Sequence, residues 1–200
     1  MADSLVVIRA GSTDFDLQGR IRGTLDLPLC AAGLAEAKAA AAALAGTPPA
    51  AIYSASDTCS ADTARHVARA CGLRARCLDE LVNLDQGLWQ GMLVDDIRLK
   101  QPRLYRQWQD NPWAVSPPEG ELLEQACDRV EGVLERMLRR HTSGRIALVV
   151  PTPLDQIVRW LTAGEAIGDL WGRGPAETSV VAIPLASQWK RPAVPEKARA

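Results

Sequence analysis

Short apolar runs and longer amphipathic stretches alternate along this chain. Residues 4–8, Ser-Leu-Val-Val-Ile, form a β-branched run of strand length and predict a buried strand. After a polar loop punctuated by glycine, an alanine-rich segment over residues 31–45 stops at Gly46-Thr47-Pro48-Pro49 and predicts a helix. Residues 50–54 predict a second strand, and residues 58–71 a helix closed by Gly72. Between residues 120 and 140, Leu123, Ala126, Cys127, Val130, Val133, Leu134 and Met137 recur at helical spacing, which predicts a long amphipathic helix. Residues 146–150 predict another buried strand, 155–161 a helix and 179–185 a final strand. This order predicts an α/β protein, a three-layer α/β/α sandwich with a mostly parallel central sheet, in a single domain over residues 1–189. The tail over residues 190–200 mixes Pro, Lys, Arg and Ala with few apolar anchors and is expected to be disordered.

Composition narrows the function classes. Two hundred residues that are 47% hydrophobic suit one soluble globular domain. A formal net charge of −1, with basic residues scattered, gives no footprint for nucleic acid or an anionic membrane, so neither is expected as a partner. The five cysteines, Cys30, Cys59, Cys71, Cys77 and Cys127, are odd in number and never spaced C-x-x-C, so neither a disulfide framework nor a zinc site is expected. No cofactor is implied. The N-terminus lacks the basic start and long apolar stretch of a signal peptide, and no run is long enough to span a bilayer, so a cytoplasmic location is expected. In a sheet of this kind ligands bind beyond the carboxyl ends of the strands, which directs attention to the segments after Ile8, Tyr53 and Val150.

Five segments in order carry a resemblance. They are Arg9-x-Gly11 with Arg20-x-x-Gly23-x-x-Asp26-x-Pro28-Leu29; Ile52-Tyr53-Ser54 with Ala61-x-Thr63-Ala64; Leu81 with Gly87-x-Trp89-x-Gly91; Pro117-Pro118-x-Gly120-Glu121; and Val149-Val150. Across nearly its whole length the chain resembles the histidine phosphatase superfamily, in its phosphoglycerate-mutase-like branch. The resemblance implies a histidine nucleophile after the first strand, two arginines and a second histidine around the phosphoryl oxygens, and a carboxylic acid that protonates the leaving group.

Residue by residue, the implied machinery is missing. The nucleophile position carries Ala10, which has no side-chain atom able to attack phosphorus. The second arginine corresponds to Cys59, the acid to Asn83, and the second histidine to Thr152 between Pro151 and Pro153. The asparagine of the first loop corresponds to Asp16, whose carboxylate repels phosphate; of the implied set Arg9 remains. Removing a nucleophile from such a unit costs about a millionfold in rate, nearly as much as removing the whole set. The expectation is a catalytically inactive module that binds, regulates or scaffolds, with a protein partner or a weakly bound anion. Arg9, Asp16, Arg20 and Arg22 are the candidate binding residues, although Arg20 also reads as a structural pairing residue and Arg22 as a solvated one.

A rival enzyme reading rests on Cys59-Ser-Ala-Asp-Thr-Ala-Arg65, which fits the C-x5-R spacing of cysteine phosphatases. The segment lacks the glycines such a loop needs to turn its amides inward, and its helical pattern carries Arg65 away from the pocket. Cys59 near a helix N-terminus and Arg9 nevertheless raises the expectation of a lowered thiol pKa. The alternative function is therefore a phosphatase or phosphoryl-transfer enzyme using Cys59 or the residual Arg9 pocket. His66 and His141 are expected at the surface, Trp89 and Trp160 in the core, and Trp108 and Trp113, in a helix end and loop over residues 105–113, either pack a lid or anchor a partner. Trp171 and Trp189 fall in a region with no firm assignment, and a homodimer through edge strands or helices is left open.

Overall fold

A computed structural model describes residues 2–172, 179–185 and 190–194. Among these residues, five strands form one sheet in the order β3-β2-β4-β1-β5, built from β1 (Ser4–Arg9), β2 (Ala51–Ala55), β3 (Ala75–Leu78), β4 (Arg145–Val150) and β5 (Val180–Pro184). β1 and β2 both run parallel to β4, β3 runs parallel to β2, and β5 closes the sheet antiparallel to β1. The α/β sandwich with a mostly parallel sheet is the architecture that the alternating pattern predicts.

Among the described residues, seven α-helices accompany the sheet: α1 (Asp14–Gln18), α2 (Ala31–Ala45), α3 (Thr58–Ala70), α4 (Val94–Lys100), α5 (Pro102–Asp110), α6 (Leu123–Arg139) and α7 (Leu154–Ala163). The period-two alternation of β1 sends its side chains to two separate cores. Val6 and Ile8 join Ile52, Ala147 and Val149 beneath the small residues Ala40, Ala41, Ala64 and Ala68 of α2 and α3. Leu5 and Val7 join Tyr53, Leu148 and Val150 beneath α6 and α7.

Local chemistry explains the helix boundaries. The Asp57 carboxylate accepts from the Ser60 amide at 3.1 Å and caps α3, and Gly164 ends α7 in the left-handed conformation at φ 68°. Two glycines allow the loop after β1 to lie on the start of α2. A Cβ on Gly33 would sit 2.0 Å from the Ser12 carbonyl oxygen, and one on Gly11 would sit 2.3 Å from that of Gly33. Glu36 completes this contact by accepting from the Ser12 amide at 2.9 Å and hydroxyl at 2.7 Å.

The predicted elements all form, with shifts of a few residues at their ends. Helices α1 and α4 and strand β3 were not foreseen, whereas the helix end expected within residues 105–113 is the end of α5 at Asp110. Within the tail expected to be disordered, residues 190–194 are described: Arg191 pairs with Asp128 and, at 3.3 Å, with Glu131 of α6, and Val194 packs on the core. The remainder of that tail and Trp189 lie outside the described residues. Among the described residues, no helix is long and apolar enough to cross a membrane.

Trp108 is buried, not presented to a partner. It stacks on Trp171 at 5.0 Å between ring centroids, and Trp89 meets both rings edge-on at 5.9 and 5.4 Å. Trp113 packs on Trp160 at 4.7 Å, so both candidate anchor tryptophans hold the segment between β3 and α6 onto the domain. His141, expected at the surface, is half-buried and bonded through Nε2 to the Tyr53 hydroxyl at 2.9 Å, because Tyr53 lies in the core and its polar end needs a partner.

Candidate functional site

Register brings the candidate residues together. Arg9 pairs across the sheet with Val150, and Ser54 with Val149, so the segments leaving β1, β2 and β4 emerge side by side. Ala10, Cys59 and Thr152 follow these three strand ends, and Asn83 reaches the same place from the loop after β3. A cavity of about 250 Å³ opens there, lined among others by Arg22, Asp26, Asp57, Asn83 and Pro151. Arg20 and Asp16 lie on the neighbouring cleft, beside Gln86, Thr152 and Trp171.

Each candidate position has its own environment. Ala10 is 1% exposed, belongs to the apolar cluster that holds Ile8, Cys59 and Val149, and donates its amide to the Val150 carbonyl at 2.8 Å. The Cys59 thiol, also 1% exposed, donates to Asp57 Oδ1 at 2.9 Å, and its sulfur accepts from Arg22 Nη1 at 2.9 Å. Burial pushes this thiol up to about 12, the Arg22 charge opposing and the Asp57 charge adding to the rise. The expectation of a lowered Cys59 pKa is thus overturned: the thiol is withdrawn from solvent and faces a carboxylate. Arg65, the other end of the C-x5-R spacing, is exposed and paired with Asp62 one helical turn back.

Arg22 is buried, where the sequence allowed a solvated residue. Its carbon stem and charge are retained inside by Cys59 together with the nearby carboxylates of Asp16 and Asp57, which hold the guanidinium above its ordinary pKa despite burial. Arg20 is the structural residue that one reading expected, donating to the Gly91 carbonyl through Nη1 and to Gln18 through Nε at 2.9 Å. Asp16 accepts from the Thr13 amide at 2.7 Å and hydroxyl at 2.8 Å, capping α1.

Asn83 is 5% exposed and donates Nδ2 to two carbonyls, those of Gly23 at 2.9 Å and Thr152 at 3.0 Å. It therefore ties the first loop to the segment after β4, a task an ionised carboxylate cannot perform because it has no proton to donate. The Thr152–Pro153 peptide bond is cis, and α7 starts directly after it.

Two acids near the site were missed. Asp57 carried a recognisable signal, an Asp before the first helical Thr of α3. Asp155 is 2% exposed and interrupts the apolar face formed by Leu154, Ile157, Val158 and Leu161; one charge inside such a run is the signal that could have found it. Burial raises the Asp155 carboxyl above its ordinary range, opposed by Arg159 at 3.7 Å and by Arg9. Arg9 thus shares its field with a built-in acid. Two unit charges 4 Å apart interact by about 4 kcal/mol at an effective dielectric near 20. Asp16 and Asp57 therefore offset the field of Arg22, and Asp155 offsets that of Arg9. Among the described residues, no group of three or more metal-ligating side chains comes together.

Comparison with known proteins agrees with this architecture. The profile of the histidine phosphatase superfamily, branch 1, matches residues 5–191, and the chain belongs to that family. It is 29% identical over 170 residues to phosphoserine phosphatase 1 of Hydrogenobacter thermophilus, covering 85% of this chain and 81% of that protein. It is 31% identical over 167 residues to a bifunctional protein of Mycobacterium tuberculosis, of which it spans less than half, 45%. The solved structure of mycobacterial glucosyl-3-phosphoglycerate phosphatase complexed with VO3 superposes with a TM-score of 0.77 at 24% identity, over 86% of this chain and 87% of that one, a likeness of fold.

Proposed function

We propose that this chain is a non-catalytic member of the histidine phosphatase superfamily that retains the family pocket for binding or regulation. The observation that carries the reading is Ala10, buried in an apolar cluster at the position where the family resemblance calls for the nucleophile. The other replacements support it. Asn83 is committed to two carbonyls and has no acidic proton, and Cys59 is a protonated, buried thiol bonded to a carboxylate.

A second reading is favoured by a specific observation: relatives such as that from Hydrogenobacter are named phosphatases, and their names support phosphatase activity more than they support a silent scaffold. Under it, a phosphate monoester is held at Arg9 and Arg22 and hydrolysed by a rearranged set of groups. The two readings part on turnover. Phosphate release from p-nitrophenyl phosphate and phosphoserine should stay at the blank rate for the wild-type chain. Release above the blank that disappears in Arg9→Ala or Cys59→Ser contradicts the non-catalytic reading and establishes the second.

A further inference from the structure

A positively charged groove lies along the outer edge of the sheet. Among the described residues β3 is a terminal strand, paired with β2 on one side and open on the other. Because β2 and β3 are parallel and α3 connects them, α3 runs back along β3. A groove of about 490 Å³ lies between the two, lined among others by Ala61, Arg65, Arg69, Leu73, Arg74 and Cys77. None of these residues lines the strand-end cavity or the cleft beside it.

Charge is concentrated at this edge. Residues 64–77 hold Arg65, Arg69, Arg74 and Arg76 and no carboxylate, in a chain whose formal net charge is −1. All four arginines are exposed. Arg65 is paired with Asp62, whereas the guanidinium groups of Arg69 and Arg74 form no ion pair or hydrogen bond with the described residues. Alternation along β3 puts Ala75 and Cys77 on the α3 side and Leu78 against the opposite core, so Arg76 flanks the same open edge from the other face.

Two features select the occupant. An open strand edge carries backbone donors and acceptors that a further extended chain can pair. Side chains on one face of an extended chain recur about every 6.6 Å, close to the roughly 5–6 Å between side chains one helical turn apart, such as Arg65 and Arg69, so alternate carboxylates of one peptide reach successive arginines. A second copy of this chain is disfavoured there, because self-complementary pairing sets the same arginines against one another.

We infer that the groove between α3 and β3 binds an acidic peptide segment of a partner protein, extended and added to the sheet beside β3. Its carboxylates meet Arg69 and Arg74, and its apolar side chains lie against Ala61 and Leu73. The site is separate from the strand-end pocket, so it holds whether or not that pocket hydrolyses phosphate esters.

The test uses the full chain and a fluorescein-labelled, acetylated heptapeptide of alternating Glu and Val, with its Lys-Val counterpart, oligothymidylate and inorganic phosphate as competitors. Fluorescence anisotropy should give saturable binding of the Glu-Val peptide that weakens as salt rises. The backbone amides of β3 should shift with the same affinity, and bound peptide should slow alkylation of exposed Cys77. Combining Arg69→Gln with Arg74→Gln should weaken binding at least about fivefold, while Arg69→Lys with Arg74→Lys should keep it within about twofold. Both pairs change exposed positions, and a melting temperature close to that of the wild-type chain confirms that each variant is folded. No binding of the Glu-Val peptide, equal binding of the Lys-Val counterpart, an affinity unchanged in the Gln variant, or β3 amides that stay in place overturns the inference. Displacement by oligothymidylate or phosphate at equal or lower concentration also overturns it and makes the groove a phosphate site. A wild-type dimer in sedimentation with Cys77 protected overturns it in favour of a second copy at this edge.

Discussion

Cys59 offers a sharp chemical test, because its environment sets how fast it reacts. The thiol is 1% exposed, donates to Asp57 and is pushed from an ordinary 9.0 up to about 12. Alkylation requires the thiolate, so at about pH 8 a shift of that size lowers the reactive fraction about a thousandfold, from roughly a tenth to roughly one part in ten thousand. Burial adds a steric barrier, so a thousandfold is the smaller end of the effect. Exposed Cys77 in the same molecule is the internal reference. Iodoacetamide labelling read by peptide mass spectrometry should modify Cys77 within minutes and leave Cys59 intact over the same period. An Asp57→Asn variant removes one charge that raises the Cys59 pKa, so labelling of Cys59 should quicken while remaining far slower than that of Cys77. Rapid labelling of Cys59 at neutral pH, with a midpoint below that of an ordinary thiol, refutes this reasoning and restores the cysteine-nucleophile alternative.

Three further outcomes follow from the same geometry. Asn83→Ala leaves the Gly23 and Thr152 carbonyls without their donor and should cost about 1–3 kcal/mol in urea denaturation; a loss below about 0.5 kcal/mol contradicts the clasp between the two loops. Gly33→Ala places a methyl against the Ser12 backbone, 2.0 Å from its carbonyl oxygen, and should destabilise by about 1–3 kcal/mol or more, whereas Gly46→Ala, with open space around it, should leave stability nearly unchanged. The folded-state pKa of Asp155 is raised above its unfolded value, so its contribution is fully present below the unfolded pKa and is lost as pH rises through the folded one. The stability of Asp155→Asn relative to the wild-type chain should therefore increase with pH across that window. A difference that is flat or falls with pH in a denaturation series refutes the dominance of burial at Asp155.

Much of the architecture was legible because it rests on apolar periodicity. The runs at residues 4–8 and 146–150 are buried on both faces of a parallel sheet, and the long repeat ending at Met137 faces one core. Strand β3 escaped because Ala-Arg-Cys-Leu is short, lies at a sheet edge and exposes its middle residues, so neither alternation nor a continuous run marks it. Only the end of helix α5 was legible, because a buried Trp108 in an otherwise polar segment is too sparse a pattern to set the start of the helix.

The site was legible in position more than in partnership. Arg9, Ala10, Cys59, Asn83 and Thr152 gather as their places after the strands imply, since register fixes where the loops emerge. The sequence could not tell that Arg22 is buried against Cys59, because that contact joins positions 37 residues apart. Nor could it tell that Asn83 is a clasp, which depends on two carbonyls supplied by distant loops. The acidic character of the pocket was only partly visible, in Asp16; Asp57 and Asp155 become relevant once α3 and α7 are placed on the sheet.

Restoring the family's groups tests the central proposal most directly. Hydrolysis of p-nitrophenyl phosphate is measured for the wild-type chain and for a variant combining Ala10→His, Cys59→Arg, Asn83→Glu and Thr152→His. If the pocket has lost its chemistry through these positions, the wild-type chain is inert and the fourfold variant, once confirmed to be folded, acquires measurable turnover. Turnover by the wild-type chain that Cys59→Ser abolishes contradicts the proposal and identifies an enzyme with a rearranged site.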